Sequence, residues 1–178
     1  MTRWRPGDRR ADSASMLRVD QAGEYGATRI YAGQLAVLRA NCPEAKLISR
    51  MAAQERRHLD RFDRLIAERG VRPTALQPLW NVAGFALGAV TALISEEAAL
   101  ACTDAVETEI DRHYGRQLEE LGEEDPELSA DIAEFRADEL EHRDTAREAG
   151  STNAFAYPLL TAAIRAGCKL AIGLSKRM

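Results

Sequence analysis

Two short tetrads, Glu55-Arg56-Arg57-His58 and Glu139-Leu140-Glu141-His142, contain two of the chain's three histidines. The second lies in Phe135 to Asp144, a run of strong helix formers without glycine, proline or β-branched residues. Residues three apart on a helix leave from one face, so each tetrad presents a carboxylate oxygen and an imidazole nitrogen to the same point in space. Mixed carboxylate and imidazole donors suit iron or manganese better than a structural zinc, which favours four-coordinate Cys/His sites. The cysteines, Cys42, Cys102 and Cys168, are scattered and form no Cys-x-x-Cys pair.

The tetrads belong to an internal duplication. With Glu24 set against Glu107, Arg29 meets Arg112, Tyr31 meets Tyr114, Gln34 meets Gln117, Leu35 meets Leu118 and Leu38 meets Leu121. A slip of one residue then brings Glu55-x-x-His58 onto Glu139-x-x-His142. Each half therefore reads as a helical hairpin with a lone glutamate on one helix and Glu-x-x-His on the next. Two such hairpins predict an all-α, ferritin-like four-helix bundle with pseudo-two-fold symmetry, plus a short apolar helix and a C-terminal helix. Ferritin-like di-iron bundles are known to use this ligand set, and the pattern in this chain matches it. The metal ligands expected are Glu24, Glu55, His58, Glu107, Glu139 and His142. Four buried carboxylates would be very costly alone or would take up protons, and two Fe²⁺ ions cancel their charge. By analogy with ferritin-like sites, Glu55 and Glu139 bridge the ions and Glu24 and Glu107 are terminal.

The remaining elements follow from caps and breakers. The first helix is expected from about Ser13 or Ser15 to Ala40, where Gly23, Gly26 and Gly33 are tolerable if a helix or ligand must come close. Pro43 opens a second helix that Gly70 closes. Ser95 and Asp125-Pro126 start the helices bearing Glu107 and Glu139, and a last helix spans about Ala154 to Ser175. Leu79 to Ile94 is the most apolar stretch and falls short of a bilayer span. It reads either as a buried helix covering an open end of the bundle or as a helix half-sunk in a membrane with Trp80 at the headgroups. Residues 1–14 read as a flexible tail without a signal peptide's apolar core, and 15–178 as one domain. A net charge of −4 with no long basic run argues against nucleic acid as a partner. The odd cysteine count points to a reducing compartment.

The chain resembles the demethoxyubiquinone hydroxylases of ubiquinone biosynthesis over nearly all of Leu17 to Met178. The resemblance rests on Arg18-Val19-Asp20-Gln21-Ala22-Gly23-Glu24-Tyr25-Gly26-Ala27, Arg29 to Gln34, Arg72-Pro73-Thr74, Pro78 to Ala89, Ala101-Cys102-Thr103, Glu107, His113-Tyr114, the Glu139 to His142 tetrad and Ala166-Gly167-Cys168. The family's ligands fall on the same six residues. Gln21 stands where some members have His, and Gly173 where others have Tyr, so no role for that tyrosine carries over. The resemblance implies a di-iron monooxygenase that uses O₂ to hydroxylate a polyprenyl benzoquinone ring, with NADH or a quinol route as reductant. It also implies a peripheral membrane protein on the cytoplasmic face of a bacterial inner membrane, or on the matrix face in mitochondria. The bilayer surface and other ubiquinone-biosynthesis proteins, including a lipid-presenting one, are then its partners, and a homo-oligomer stays open.

Tyr114 and His113 are the catalytic candidates. Tyr114 lies two turns beyond Glu107, as Tyr31 does beyond Glu24, and reads either as a core tyrosine or as a proton and electron relay. His113, off the ligand face, is a candidate partner for substrate or a carboxylate. Asp20 and Asp104, one turn before Glu24 and Glu107, are candidates to hold the outer nitrogens of the ligand histidines. Two other functions share parts of the pattern. A di-iron quinol oxidase also carries Arg-Ala-Asp-Glu-x-x-His, as at Arg136 to His142, and an iron-storage protein needs the ligands without the chemistry.

Overall fold

The computed structural model describes residues 11–177. Among them are α1 (Ser13–Val37), α2 (Pro43–Arg69), α3 (Gln77–Ile94), α4 (Glu96–Leu121), α5 (Pro126–Glu148) and α6 (Tyr157–Ser175), with a 3-10 turn at Ser151–Asn153 and no strand. Local chemistry sets the ends. Asp12, Ser95 and Asp125 accept hydrogen bonds from the amides of Ser15, Ala98 and Leu128, each satisfying a donor that the helix cannot. Proline occupies the first turns of α2, α3, α5 and α6. Gly70, at φ 62°, takes the left-handed conformation that ends α2. Of the stretch expected as a tail, Met1 to Arg10 lie outside the described residues, and Ser13 and Ala14 already belong to α1.

The helices form three layers. α1 packs on α2 and α4 on α5 as two hairpins, and α1 faces α4 while α2 faces α5, which closes a ferritin-like four-helix bundle. α3 lies along α1 and α6 along α4, covering that side of the bundle. Along the bundle axis the interior is apolar at both ends. Leu17, Phe62, Leu65, Leu121, Leu128 and Ile132 fill one end, and Ile48, Met51, Ala99, Leu100 and Ala146 fill the other. The polar centre between them is thereby sealed from water lengthwise.

The expectation of a buried helix over an open end is corrected by the path of α3. Only Gly84, Gly88, Thr91 and Ala92 of α3 are buried. They press on α1 so closely that a Cβ at Gly88 would lie 1.9 Å from the Ile30 carbonyl oxygen, and one at Gly33 would lie 2.1 Å from that of Phe85. The other face of α3 exposes Leu79, Val82, Val90, Leu93 and Ile94. α6 likewise exposes Leu159 and Leu170. Trp80 donates from Nε1 to Ser175 Oγ at 3.1 Å and ties the start of α3 to the end of α6. The stretch expected to fall short of a bilayer span belongs to a helix of 18 residues, and α3 and α6 are both long and apolar enough to cross a membrane, yet each has one face committed to the bundle.

Gly33 thus earns its place by close approach, whereas a Cβ at Gly23 would meet nothing within 4 Å. Gly88→Ala is expected to destabilise the fold by about 1–3 kcal/mol through overpacking. Gly23→Ala should stabilise it by about 1 kcal/mol, raising Tm by roughly 2–4 °C. Thermal unfolding of the two variants beside the parent chain checks both signs.

Candidate metal centre

The six expected ligands converge between the two apolar ends. Glu24 comes from α1, Glu55 and His58 from α2, Glu107 from α4, and Glu139 and His142 from α5. None is more than 2% exposed. Their donor atoms form two groups, each within 4.8 Å: Glu24, Glu55, His58 and Glu139, then Glu55, Glu107, Glu139 and His142. Glu55 and Glu139 belong to both groups, as carboxylates between two ions must, and Glu24 and Glu107 to one each. His58 Nδ1 lies 3.2 Å from Glu139 Oε1 and 3.6 Å from Glu24 Oε2. His142 Nδ1 lies 3.1 Å from Glu55 Oε1 and 3.3 Å from Glu139 Oε2.

Every ligand turns at least one atom inward that has no hydrogen-bond partner: Glu24 Oε2, both oxygens of Glu55 and of Glu139, Glu107 Oε2, and Nδ1 of each histidine. Buried polar atoms are almost always paired, so a converging unpaired set fits cations that would complete it. The electrostatics agree. Burial first, and the neighbouring carboxylates second, push Glu55 and Glu107 well above the usual carboxyl range, and burial also raises Glu139. Burial opposes charge on His58, but Glu139 and Glu24 outweigh it and push the imidazole up to about 11. Burial holds His142 below its usual range. The metal-free cluster therefore keeps protons that divalent ions would displace.

The outer nitrogens find partners other than those expected. His58 Nε2 is 2.9 Å from Asp138 Oδ2, and His142 Nε2 is 3.0 Å from Gln54 Oε1. Each partner immediately precedes the shared glutamate of the opposite tetrad, which is the only signal the sequence offered. Asp20 accepts from Gln117 Nε2 at 2.8 Å and faces His113 Nε2 at 3.2 Å. Asp104 turns outward to Arg147, Ser151 and Tyr157, joining α4 to α5 and the start of α6. Burial opposes its charge, yet Arg147 and the two hydroxyls hold its carboxyl below the ordinary range. Asp20 is four residues before Glu24 and Asp104 three before Glu107, offsets that turn the two side chains to opposite flanks of the ligand face of their helices.

The tyrosines cross between the halves. Tyr31 donates to Glu107 Oε1 at 2.7 Å, and Tyr114 donates to Glu24. Seven residues along one helix span about 10 Å, too far for a direct bond, whereas the facing helix presents a carboxylate at the same level. Burial and these glutamates hold both phenols far above their usual range, so they stay protonated donors. His113, also buried, touches a carboxylate, one of its two expected partners.

The protons held at the centre imply a pH dependence. His58 is raised in the folded state above its ordinary 6.5, so its contribution is complete below that value and is lost as pH rises towards about 11. The raised carboxyls act in the same direction. The depressed His142 acts oppositely only near and below its ordinary range. The chelator-stripped protein is therefore expected to lose stability between about pH 7 and 9, while the metal-loaded protein, with those protons displaced, does not. Urea midpoints of the two forms across that interval measure the difference.

Residues 11–175 match the sequence model of the family described as "Ubiquinone biosynthesis protein COQ7". The chain is 55% identical over 162 residues to the 3-demethoxyubiquinol 3-hydroxylase of Rhodospirillum rubrum, covering 91% of this chain and 76% of that protein. It is 52% identical over 172 residues to the mitochondrial NADPH-dependent 3-demethoxyubiquinone 3-hydroxylase of Mus musculus, covering 94% and 79%. It is 44% identical over 179 residues to the mitochondrial 5-demethoxyubiquinone hydroxylase of Saccharomyces cerevisiae, covering 92% and 77%. With its matched length running from before α1 to the last residue of α6, the chain belongs to the COQ7 family of ubiquinone biosynthesis proteins.

Proposed function

We propose that this chain is a di-iron monooxygenase that hydroxylates the ring of a demethoxyubiquinone or demethoxyubiquinol carrying a polyprenyl tail. One observation carries the metal assignment: the unpaired donor atoms of six buried side chains converge from four helices. The names of the relatives supply the substrate class. Iron held by Glu24, Glu55, His58, Glu107, Glu139 and His142 supplies the activation of O₂. In the overall balance a ring C–H, O₂, two electrons and two protons give a ring C–OH and water. The electrons come from a reduced nicotinamide or a quinol. The name of the mouse relative favours the nicotinamide.

The protein's own part is to orient and to exclude water. Tyr31 and Tyr114 fix Glu107 and Glu24 by hydrogen bonds, which leaves the second oxygen of each carboxylate free for metal. Asp20, Gln117 and His113 form a buried polar row one turn from Glu24 and hold α1 against α4 at that level. Ala27, Ile30, Tyr31, Thr103, Val106 and Glu107 line a closed seam between α1 and α4 that has no room for a water molecule. It leads from the metal ligands toward the apolar contacts of Ile30 and Val106 with α3 and α6. The ring enters from that side, by parting these side chains. Its tail stays in the lipid beneath the apolar faces of α3 and α6, on the cytoplasmic face of a bacterial membrane or the matrix face in a mitochondrion.

Purified protein loaded with iron and given a reductant, O₂ and a short-tailed demethoxyquinol should yield a product heavier by one oxygen. Glu139→Ala should yield none. Loss of quinol without oxygen on the ring would replace hydroxylation with oxidase chemistry. Val82→Asp, Leu93→Asp and Leu159→Asp, at positions 67%, 72% and 73% exposed, should each weaken partition onto lipid vesicles by tenfold or more while two metal ions per chain are retained. Vesicle flotation with metal analysis of the bound and free fractions reads both.

A further inference from the structure

The two halves of the centre are matched in almost every respect. They share Glu55 and Glu139, and each terminal glutamate accepts from the other half's tyrosine. They differ behind the imidazoles. With Nδ1 facing the centre, Nε2 carries the hydrogen and donates outward, so the acceptor is the Asp138 carboxylate behind His58 and the Gln54 amide oxygen behind His142. The two acceptors occupy equivalent places in the internal duplication, each directly before a shared glutamate. A hydrogen bond to a carboxylate is about twice as strong as one to a neutral carbonyl, and it drives electron density through the ring to the opposite nitrogen. Arg57 does not cancel the charge, because it comes only to 3.9 Å of Asp138 and its side chain is 65% exposed. Asp20 is engaged by Gln117 and His113 and does not enter this comparison.

We propose that the two metal positions are unequal by construction. The position served by His58 and Glu24 binds a divalent cation more tightly and fills first, because Asp138 makes His58 the stronger donor. Asp138 is a positioning residue, acting through the imidazole. The position served by His142 and Glu107 is the exchangeable one. The proposal rests on the dinuclear reading above.

The test is a Co²⁺ titration of the stripped, full-length protein, followed by visible d–d absorption and by calorimetry. The parent chain should take two ions in two steps separated by tenfold or more. His142→Ala should keep the tight step and lose the weak one. Asp138→Asn should weaken the tight step by about 10–100-fold and close the gap. Gln54→Glu should tighten the weak step, narrowing the gap from the other side, and it carries the test alone if Asp138→Asn fails to fold. Two ions with no resolved difference in the parent, or a gap unchanged in a folded Asp138→Asn or Gln54→Glu chain, overturns the inequality and leaves the dinuclear site standing. Fewer than two ions on the parent chain overturns the dinuclear site itself.

Discussion

Charge that the protein cannot neutralise by itself is the constraint around which the chain is built. Four carboxylates and two imidazoles are withdrawn from water with their inward atoms unpaired. Such a cluster is unstable as a set of free ions, because desolvation costs several kcal/mol per charge and the like charges repel. It persists only by holding protons or by holding cations, and the raised pKa values of Glu55, Glu107, Glu139 and His58 are the first solution recorded in the fold. The apolar clusters at the two ends of the bundle keep the problem from being relieved by water.

The layered order of helices assigns separate tasks. The outer α2/α5 layer supplies the imidazoles and shared carboxylates together with their supports, Gln54 and Asp138. The middle α1/α4 layer supplies the terminal carboxylates, the crossed tyrosines and the Asp20 to His113 row. The α3/α6 layer supplies apolar surface, inward against Ile30 and Val106 and outward to the surroundings. Duplication accounts for the pairing of tasks, and the departures from it, Asp138 against Gln54 and Asp20 against Thr103, are where the halves acquire individual character.

Much of this was legible because it depends on short-range rules. Helix starts at Pro43, Ser95 and Asp125 follow from caps that act within one turn. The six ligands follow from spacing on a helix face and from the repeat. What stayed hidden depends on which neighbour a side chain meets. Asp20 stands four residues before Glu24 and Asp104 three before Glu107, and the two turn to different neighbours: Asp20 faces His113 and Gln117 of α4, and Asp104 faces Arg147 and Tyr157. Tyr31 and Tyr114 reach across the bundle instead of along their helices. Gly23 and Gly33 are the same residue on the same helix, but only the second meets another backbone. Composition gave the apolar character of α3, and its seat along α1 came from tertiary contact.

The contact at Gly33 and Gly88 has a consequence for how such a protein can change over generations. Main chain rests there on main chain, with no side chain between α1 and α3 to act as a shim. The offset between α3 and the helix bearing Glu24 is therefore set by covalent geometry, which surface mutation does not touch. The outer residues of α3 are free to be repainted for different surroundings, while the buried cluster keeps its shape beneath them.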